Sequence, residues 1–401
     1  MKPGARWRGV GPLPEPRWFL EAGDSSDGRV YAFGGFVLTN DLIPREDGIE
    51  ERALVEYDPA ADRWAAGPPV RHFLFTSVVP NRITHEDRRK EVIWEDRDGF
   101  SLVGVEKPCG GSDQRGRIFW FSELGPVFLD PDSHVWAQAP RPQQRQGHPE
   151  FEGAVPTLER HNLQCAAGPD GKIYMVGGIG HALGERDEFK RLLIRDELEV
   201  YDPASNTYEL RAPLHQPRQI FMASFGGDGK LYVFGGYGHS GRISETPDTP
   251  RDVFTREGAE MDRLSNRALD TVEVYDPATA AWTPRRPLPE PLQGADAALC
   301  PDGRIYIVGG TPSFRNTVAL RSVWIYDPPS DSYERGPDLN TRRQAHAVAC
   351  TKNGLLYAIG GTNAFDVPHP RMLLGGEPGT AGGPLASVEV LDTRLLAAER
   401  R

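Results

Sequence analysis

An all-β chain, built from six copies of one short unit and closed into a ring, is what this sequence predicts. The prediction rests on a strand motif ending in two glycines, a second strand motif ending in Tyr-Asp-Pro, and a displaced aromatic residue near the N-terminus. The clearest copy of the first motif is 302–310, Asp-Gly-Arg-Ile-Tyr-Ile-Val-Gly-Gly. The turn Gly adopts positive φ at no steric cost, and the β-branched and aromatic run suits a buried strand. The paired glycines let the backbone bend and a neighbouring strand come close. Further copies stand at 27–35, 170–178, 228–236 and 353–361, and a degenerate one at 115–121 is followed by Ser122-Glu123 in place of glycines.

The second motif follows each time after a connection of variable length. It ends at Tyr57-Asp58-Pro59, Leu129-Asp130-Pro131, Tyr201-Asp202-Pro203, Tyr275-Asp276-Pro277, Tyr326-Asp327-Pro328 and Leu391-Asp392. Seven residues past each Tyr or Leu comes an aromatic (Trp64, Trp136, Tyr208, Trp282, Tyr333), except in the last unit, which has Ala398. Trp7 precedes Arg17 by ten residues, just as Tyr208 and Tyr333 precede Arg218 and Arg343. The N-terminus therefore supplies the last strand of the last unit, and closing the ring removes exposed sheet edges.

Gly-Gly, then Tyr-Asp-Pro, then Trp is similar to the kelch repeat, and six in-register copies cover essentially the whole chain. The resemblance implies a single-domain, six-bladed kelch β-propeller over 1–401, four antiparallel strands per blade, the first innermost. The ring is closed by the N-terminal strand completing the last blade. The blades are expected at 17–66, 71–138 with an insertion at 80–114, 158–210, 218–284, 292–335, and 343–393 plus strand 5–10. Within the insertion, Val92-Ile93-Trp94 and Phe100-Ser101-Leu102-Val103 suggest an extra hairpin.

Composition agrees and narrows function. With 44 Gly and 36 Pro the chain is turn-rich, as many short strands require. A formal charge of −11 argues against nucleic acid, whose phosphates demand a basic surface. No apolar run is long enough for a membrane span, and the N-terminus lacks the apolar core of a signal peptide, so a cytoplasmic location is expected. Cys165, Cys300 and Cys350 fall in or at the end of apolar strands and read as buried thiols rather than a disulfide framework.

Loop lengths make the two faces of the disc unequal. Turns from first to second strand and from third to fourth are short. Second-to-third connections are long (36–53, 179–196, 237–270, 362–386) and share a face with the fourth-to-first connections, of which 138–159 is the longest. Function concentrates on loops carried by a rigid scaffold. The segment 242–267 is either a solvated insertion or an ordered lid.

At that face the innermost strands begin with Arg17, Arg160, Arg218, Leu292 and Arg343, and the softer alignment of the second blade offers Arg71. Guanidinium groups hold carboxylates or phosphates bidentately, so these arginines, with Gln164, are candidate ligands for an anionic small molecule or an acidic peptide or protein. The competing reading is that each Arg ties down its own loop. Glu21 or Asp296 with His72, His161 or His346 could do acid–base work, against the alternative that channel water satisfies them. Metal binding through those histidines has no sequence signature, and no cofactor is expected. The resemblance extends to family members that use such a mouth in two ways. Ubiquitin-ligase adaptors hold acidic peptides with arginines there, though this sequence gives no expectation of a BTB or BACK domain before the propeller. Sialic-acid mutarotases act on an anionic sugar, but no local motif of theirs is found here. The leading reading is thus a stand-alone binding propeller. The alternative is a small-molecule enzyme, an isomerase or mutarotase, a lyase or a metal-assisted catalyst, at the same mouth.

Overall fold

The computed structural model describes residues 5–39, 54–68, 94–95, 101–105, 109–122, 125–138, 145–146, 160–181, 192–239, 266–312, 319–363 and 383–399. Apolar residues alternating along short strands, punctuated by positive-φ glycines, fold into six antiparallel sheets arranged as a six-bladed propeller. Blade 4 shows the plan: Met222–Phe225 innermost, then Leu231–Phe234, Val272–Asp276 and, outermost, Ala281–Arg285. The innermost strands touch in chain order around a closed ring, the last blade meeting the first.

Closure is as the aromatic spacing predicts. Arg8–Val10 pairs antiparallel with Val388–Asp392 as the outermost strand of blade 6. Trp7 is buried, and its indole N–H donates to Pro337 O at 2.9 Å. The repeat explains the aromatic slot. Trp64 donates to Gly11 O, Trp136 to Pro68 O and Trp282 to Ala212 O, each reaching the linker that enters its own blade. An outer aromatic thus pins the chain where it passes inward, and the apolar faces of neighbouring blades pack between them.

The Gly-Gly pair has two reasons to be glycine. Gly235 and Gly236 have φ of 55° and 99°, and a Cβ on Gly236 would stand 2.5 Å from Phe221 Cβ. Beyond this bend the chain continues on the mouth face as small ribbons. Tyr237–His239 pairs with Asn266–Ala268, and Ile179–His181 lies between Arg160–His161 and Leu192–Ile194. The second strand of blade 1 runs on to Thr39 and pairs with Ser101–Val105, which pairs in turn with Trp94–Glu95. That is the hairpin expected within 80–114.

Two expectations are corrected. The innermost strand of blade 2 is Gly110–Ser112, inside the stretch assigned to the insertion, and not the segment beginning at Arg71. Lacking Gly-Gly, this blade offers no second landmark for placing its first strand. The cysteines are also not thiols. Cys109 is bonded to Cys165 and Cys300 to Cys350, each pair joining the innermost strands of adjacent blades. Sequence spacing hid this, because the partners lie 56 and 50 residues apart. A short helix, Thr393–Glu399, follows the last strand, and no helix among the described residues is long and apolar enough to cross a membrane.

Candidate functional site

The mouth is organised by a cluster repeated at the start of the innermost strands. In blade 4 it reads Arg218-Gln219-Ile220-Phe221. Ile220 has φ 51°, and its counterparts Phe19, Asn162, Gly294 and Ala345 lie between 50° and 60°. That region is unfavourable for most side chains, above all a β-branched one, and survives only where surroundings enforce it. Here the enforcing contacts are backbone hydrogen bonds to the preceding blade. Ile220 N donates to Asn162 O, Gly294 N to Ile220 O, Ala345 N to Gly294 O and Phe19 N to Ala345 O, at 2.7 to 3.3 Å. The relay links blades 3, 4, 5, 6 and 1 into a collar, of which Phe19, Asn162 and Ile220 stay partly exposed.

The arginines lie beneath that collar, turned into their own blades. Nη1 of Arg17, Arg160, Arg218 and Arg343 donates to the carbonyl of the first glycine of the bend (Gly34, Gly177, Gly235, Gly360) at 2.9 to 3.1 Å. Nη2 of the last three meets a third-strand glutamate. The pairs are Arg160–Glu199 at 2.8 Å, Arg218–Glu273 at 2.7 Å and Arg343–Glu389 at 2.6 Å. Arg218 and Arg343 have 0 % of their surface exposed. Burial draws both guanidinium groups below their ordinary pKa, and the facing carboxylate opposes it. A ring of anion-binding guanidiniums is therefore corrected to a set of internal braces, because a ligand finds no open surface on them. Arg71 and His72 lie outside the described residues.

The other candidates also do structural work. An innermost strand leaves one edge of backbone N–H and C=O groups unladdered, and those groups need partners. Gln164 Nε2 donates across to Phe221 O at 2.7 Å, and Asp296 Oδ2 accepts from Val348 N at 2.8 Å, each capping the strand of the next blade. Glu21 is buried at the same register in blade 1. His346 occupies the wedge filled elsewhere by Leu20, Leu163, Phe221 and Ala295. A Cβ on Gly309 would stand 2.9 Å from His346 Cε1, as one on Gly177 would from Phe221 Cε1. The structure thus brings Asp296 and His346 to one interface, between blades 5 and 6, with only 5 % and 1 % of their surface open. His161 pairs by its backbone with Ile179, and Glu21 lies on the innermost strand of blade 1.

Sequence reasoning missed Glu199, Glu273 and Glu389, each two residues before the Tyr or Leu of the second motif. Their role is double. Glu273 also accepts from His215 N at 2.9 Å and Gln216 N at 3.3 Å, and Glu389 from Asn340 N at 2.7 Å and Thr341 N at 2.9 Å. One carboxylate fixes both the arginine and the linker above it. The signal was present in the sequence: blade 5 has Leu292 for the arginine and Trp324 for the glutamate.

A model of the Kelch motif matches residues 297–340. Kelch-like protein 35 of Mus musculus is 29% identical over 44% of this chain and 31% of its own length. Beta-scruin of Limulus polyphemus is 27% identical over 59% of this chain and 21% of its own. Spermatocyte protein spe-26 of Caenorhabditis elegans is 26% identical over 61% of this chain and 33% of its own, so the chain spans a third or less of each of these relatives.

Proposed function

Of a chain that belongs to the kelch-repeat family, we propose that it is a protein-binding propeller whose partner is held on the mouth face. The unequal faces carry this reading. On one side the blades end in tight turns such as Asp228-Gly229, while on the other the ribbons above the Gly-Gly bends rise around the collar. Connecting segments on a rigid frame are where recognition concentrates, and the rigid frame is what the buried braces supply. The acidic character expected of the partner loses its support with the arginines turned inward, so a protein segment without a charge requirement is proposed. Asp296 and His346 have only 5 % and 1 % of their surface open, which does not favour an enzymatic use of them. Two disulfides favour an oxidising compartment over the cytoplasmic setting expected from the sequence.

The lysines give a natural test, because Lys190 lies in a long connection while Lys172, Lys230 and Lys352 lie at the opposite turns. Amine-reactive footprinting of the partner complex from a native extract should protect Lys190 and leave the other three as reactive as in the free protein. Protection at the turn lysines, or none at Lys190, would overturn the reading. Calorimetric titration with acidic and neutral peptides separates a charge requirement from its absence.

A further inference from the structure

We infer that Asn353 is a site of spontaneous modification, where the side-chain amide is lost and the fold receives the product as an aspartate bonded to Tyr357. Asn353 stands before Gly354 in the turn between the first two strands of blade 6, and it is the one Asn-Gly in the chain. Its side chain is exposed.

The corresponding turns of blades 3, 4 and 5 carry aspartate, and each uses both carboxylate oxygens. Oδ1 of Asp170, Asp228 and Asp302 accepts from the backbone N–H two residues on, at 3.2 to 3.3 Å. Oδ2 accepts from the hydroxyl of Tyr174, Tyr232 and Tyr306, four residues on, at 2.8 Å. In blade 6 the tyrosine is in place as Tyr357, buried in the second strand. An amide offers it less. A carboxylate has two acceptor oxygens, whereas an amide has one and a donor nitrogen. That one acceptor, Oδ1, is taken by the hydroxyl of Thr351 at 2.5 Å. Leu355 N donates to Thr351 Oγ1 at 3.1 Å rather than to the side chain at 353. Among the described residues no hydrogen bond joins Tyr357 to Asn353. The repeat thus provides for a carboxylate where the sequence supplies its amide.

Glycine at 354 makes the conversion accessible, because no side chain hinders its nitrogen. Gly354 N–H leaves Thr351 O, its partner at 2.8 Å, gives up its proton and attacks Asn353 Cγ. The N–Cγ bond forms, the Cγ–Nδ2 bond breaks, and ammonia departs with the proton, leaving a cyclic imide. The Thr351 hydroxyl on Oδ1 polarises Cγ for that attack. Water then opens the ring. Its attack at Cγ gives aspartate, with one more negative charge. Its attack at the main-chain carbonyl gives an isoaspartyl linkage, which adds an atom to the backbone. The fold discriminates between the two. Cγ belongs to the exposed side chain, while Gly354 is buried against Thr393 and Arg394. Gly354 O accepts from Thr393 N and Thr393 Oγ1, both at 2.9 Å. An extra backbone atom displaces that grip, and an aspartate leaves it intact.

The experiment is peptide mapping by mass spectrometry of the full chain, held at mildly alkaline pH and digested with pepsin in acid, beside a synthetic peptide of residues 348–358. Position 353 should be the first asparagine to gain about 1 Da, an NH2 exchanged for an OH. Fragmentation that separates aspartate from isoaspartate should find a larger aspartate share in the folded chain than in the peptide. Asn353→Asp should raise the melting temperature by a few degrees, and adding Tyr357→Phe should remove the gain. Earlier conversion at another asparagine, equal aspartate shares in chain and peptide, no gain from Asn353→Asp, or a gain that survives Tyr357→Phe would overturn the inference.

Discussion

Blades 4 and 5 sit side by side and satisfy the same stretch of backbone by opposite means. In blade 4 the linker runs Leu214-His215-Gln216-Pro217 into Arg218, and the N–H groups of His215 and Gln216 are taken up by Glu273, which also faces the arginine. In blade 5 the linker runs Leu288-Pro289-Glu290-Pro291 into Leu292. Proline at 289 removes one of those donors, the carboxylate is replaced by Trp324, and its indole N–H donates to Glu290 Oε1 at 2.9 Å. Blade 6 follows blade 4, with Asn340, Thr341, Glu389 and Arg343. Blade 1 is intermediate, with Pro14-Glu15-Pro16 before Arg17 and Val55 at the glutamate position. The difference teaches that the arginine and glutamate belong to the linker's hydrogen-bond accounting, not to a ligand.

The largest departure should come from taking away a strand rather than a pair. Deleting residues 1–10 strips blade 6 of its outermost strand and of buried Trp7, leaving its third strand as the edge where blades 4 and 5 carry a fourth. The melting temperature should fall by many degrees, and calorimetry of the truncated chain checks it.

Next comes the brace. Arg218→Met leaves buried Glu273 without its guanidinium partner, which should destabilise by about 3–5 kcal/mol in urea unfolding. The matched change in blade 5, Leu292→Met, keeps volume and polarity and should alter stability by less than about 1.5 kcal/mol. Similar losses at both positions would mean that the ion pair does nothing the apolar pair does not.

The smallest effect is with acid. Lys230 hydrogen-bonds Asp276 in blade 4, Tyr57 hydrogen-bonds Asp62 in blade 1 and Arg394 hydrogen-bonds Asp392 in blade 6, and each bond holds its carboxyl below the ordinary value. A carboxyl depressed in the fold contributes stability that is present above its unfolded pKa, about 4, and lost as pH falls through the folded value. The urea midpoint should therefore decline on acidifying below about pH 4, with little change from pH 5 to 7.

The fold was legible almost throughout, because each unit repeats its landmarks: the turn Gly, the Gly-Gly bend, Tyr-Asp-Pro and the outer aromatic. Even ring closure could be read from Trp7. Blade 2 was misplaced for the same reason, since a unit without Gly-Gly has no marker for its first strand. The disulfides were not legible, because adjacency of innermost strands is a property of the closed ring and not of spacing along the chain. At the mouth, position was read correctly and direction was not. A shared register puts Arg160, Arg218 and Arg343 at equal depth around the axis, but whether a side chain turns to the channel or into its blade depends on what waits inside the blade. Comparing units with each other, rather than listing arginines, would have shown a glutamate in blades 4 and 6 and none beside Leu292.

Four substitutions in blade 4, Arg218→Leu, Glu273→Trp, His215→Pro and Gln216→Glu, would rebuild its cluster as that of blade 5, since Leu214 and Pro217 already match. Urea unfolding of this variant beside Arg218→Leu alone is the most direct test of the bracing role. The fourfold variant should stand within about 1.5 kcal/mol of the unaltered protein, well above the single change. A fourfold variant no more stable than Arg218→Leu, or a single change that spares stability while abolishing partner binding, would contradict it.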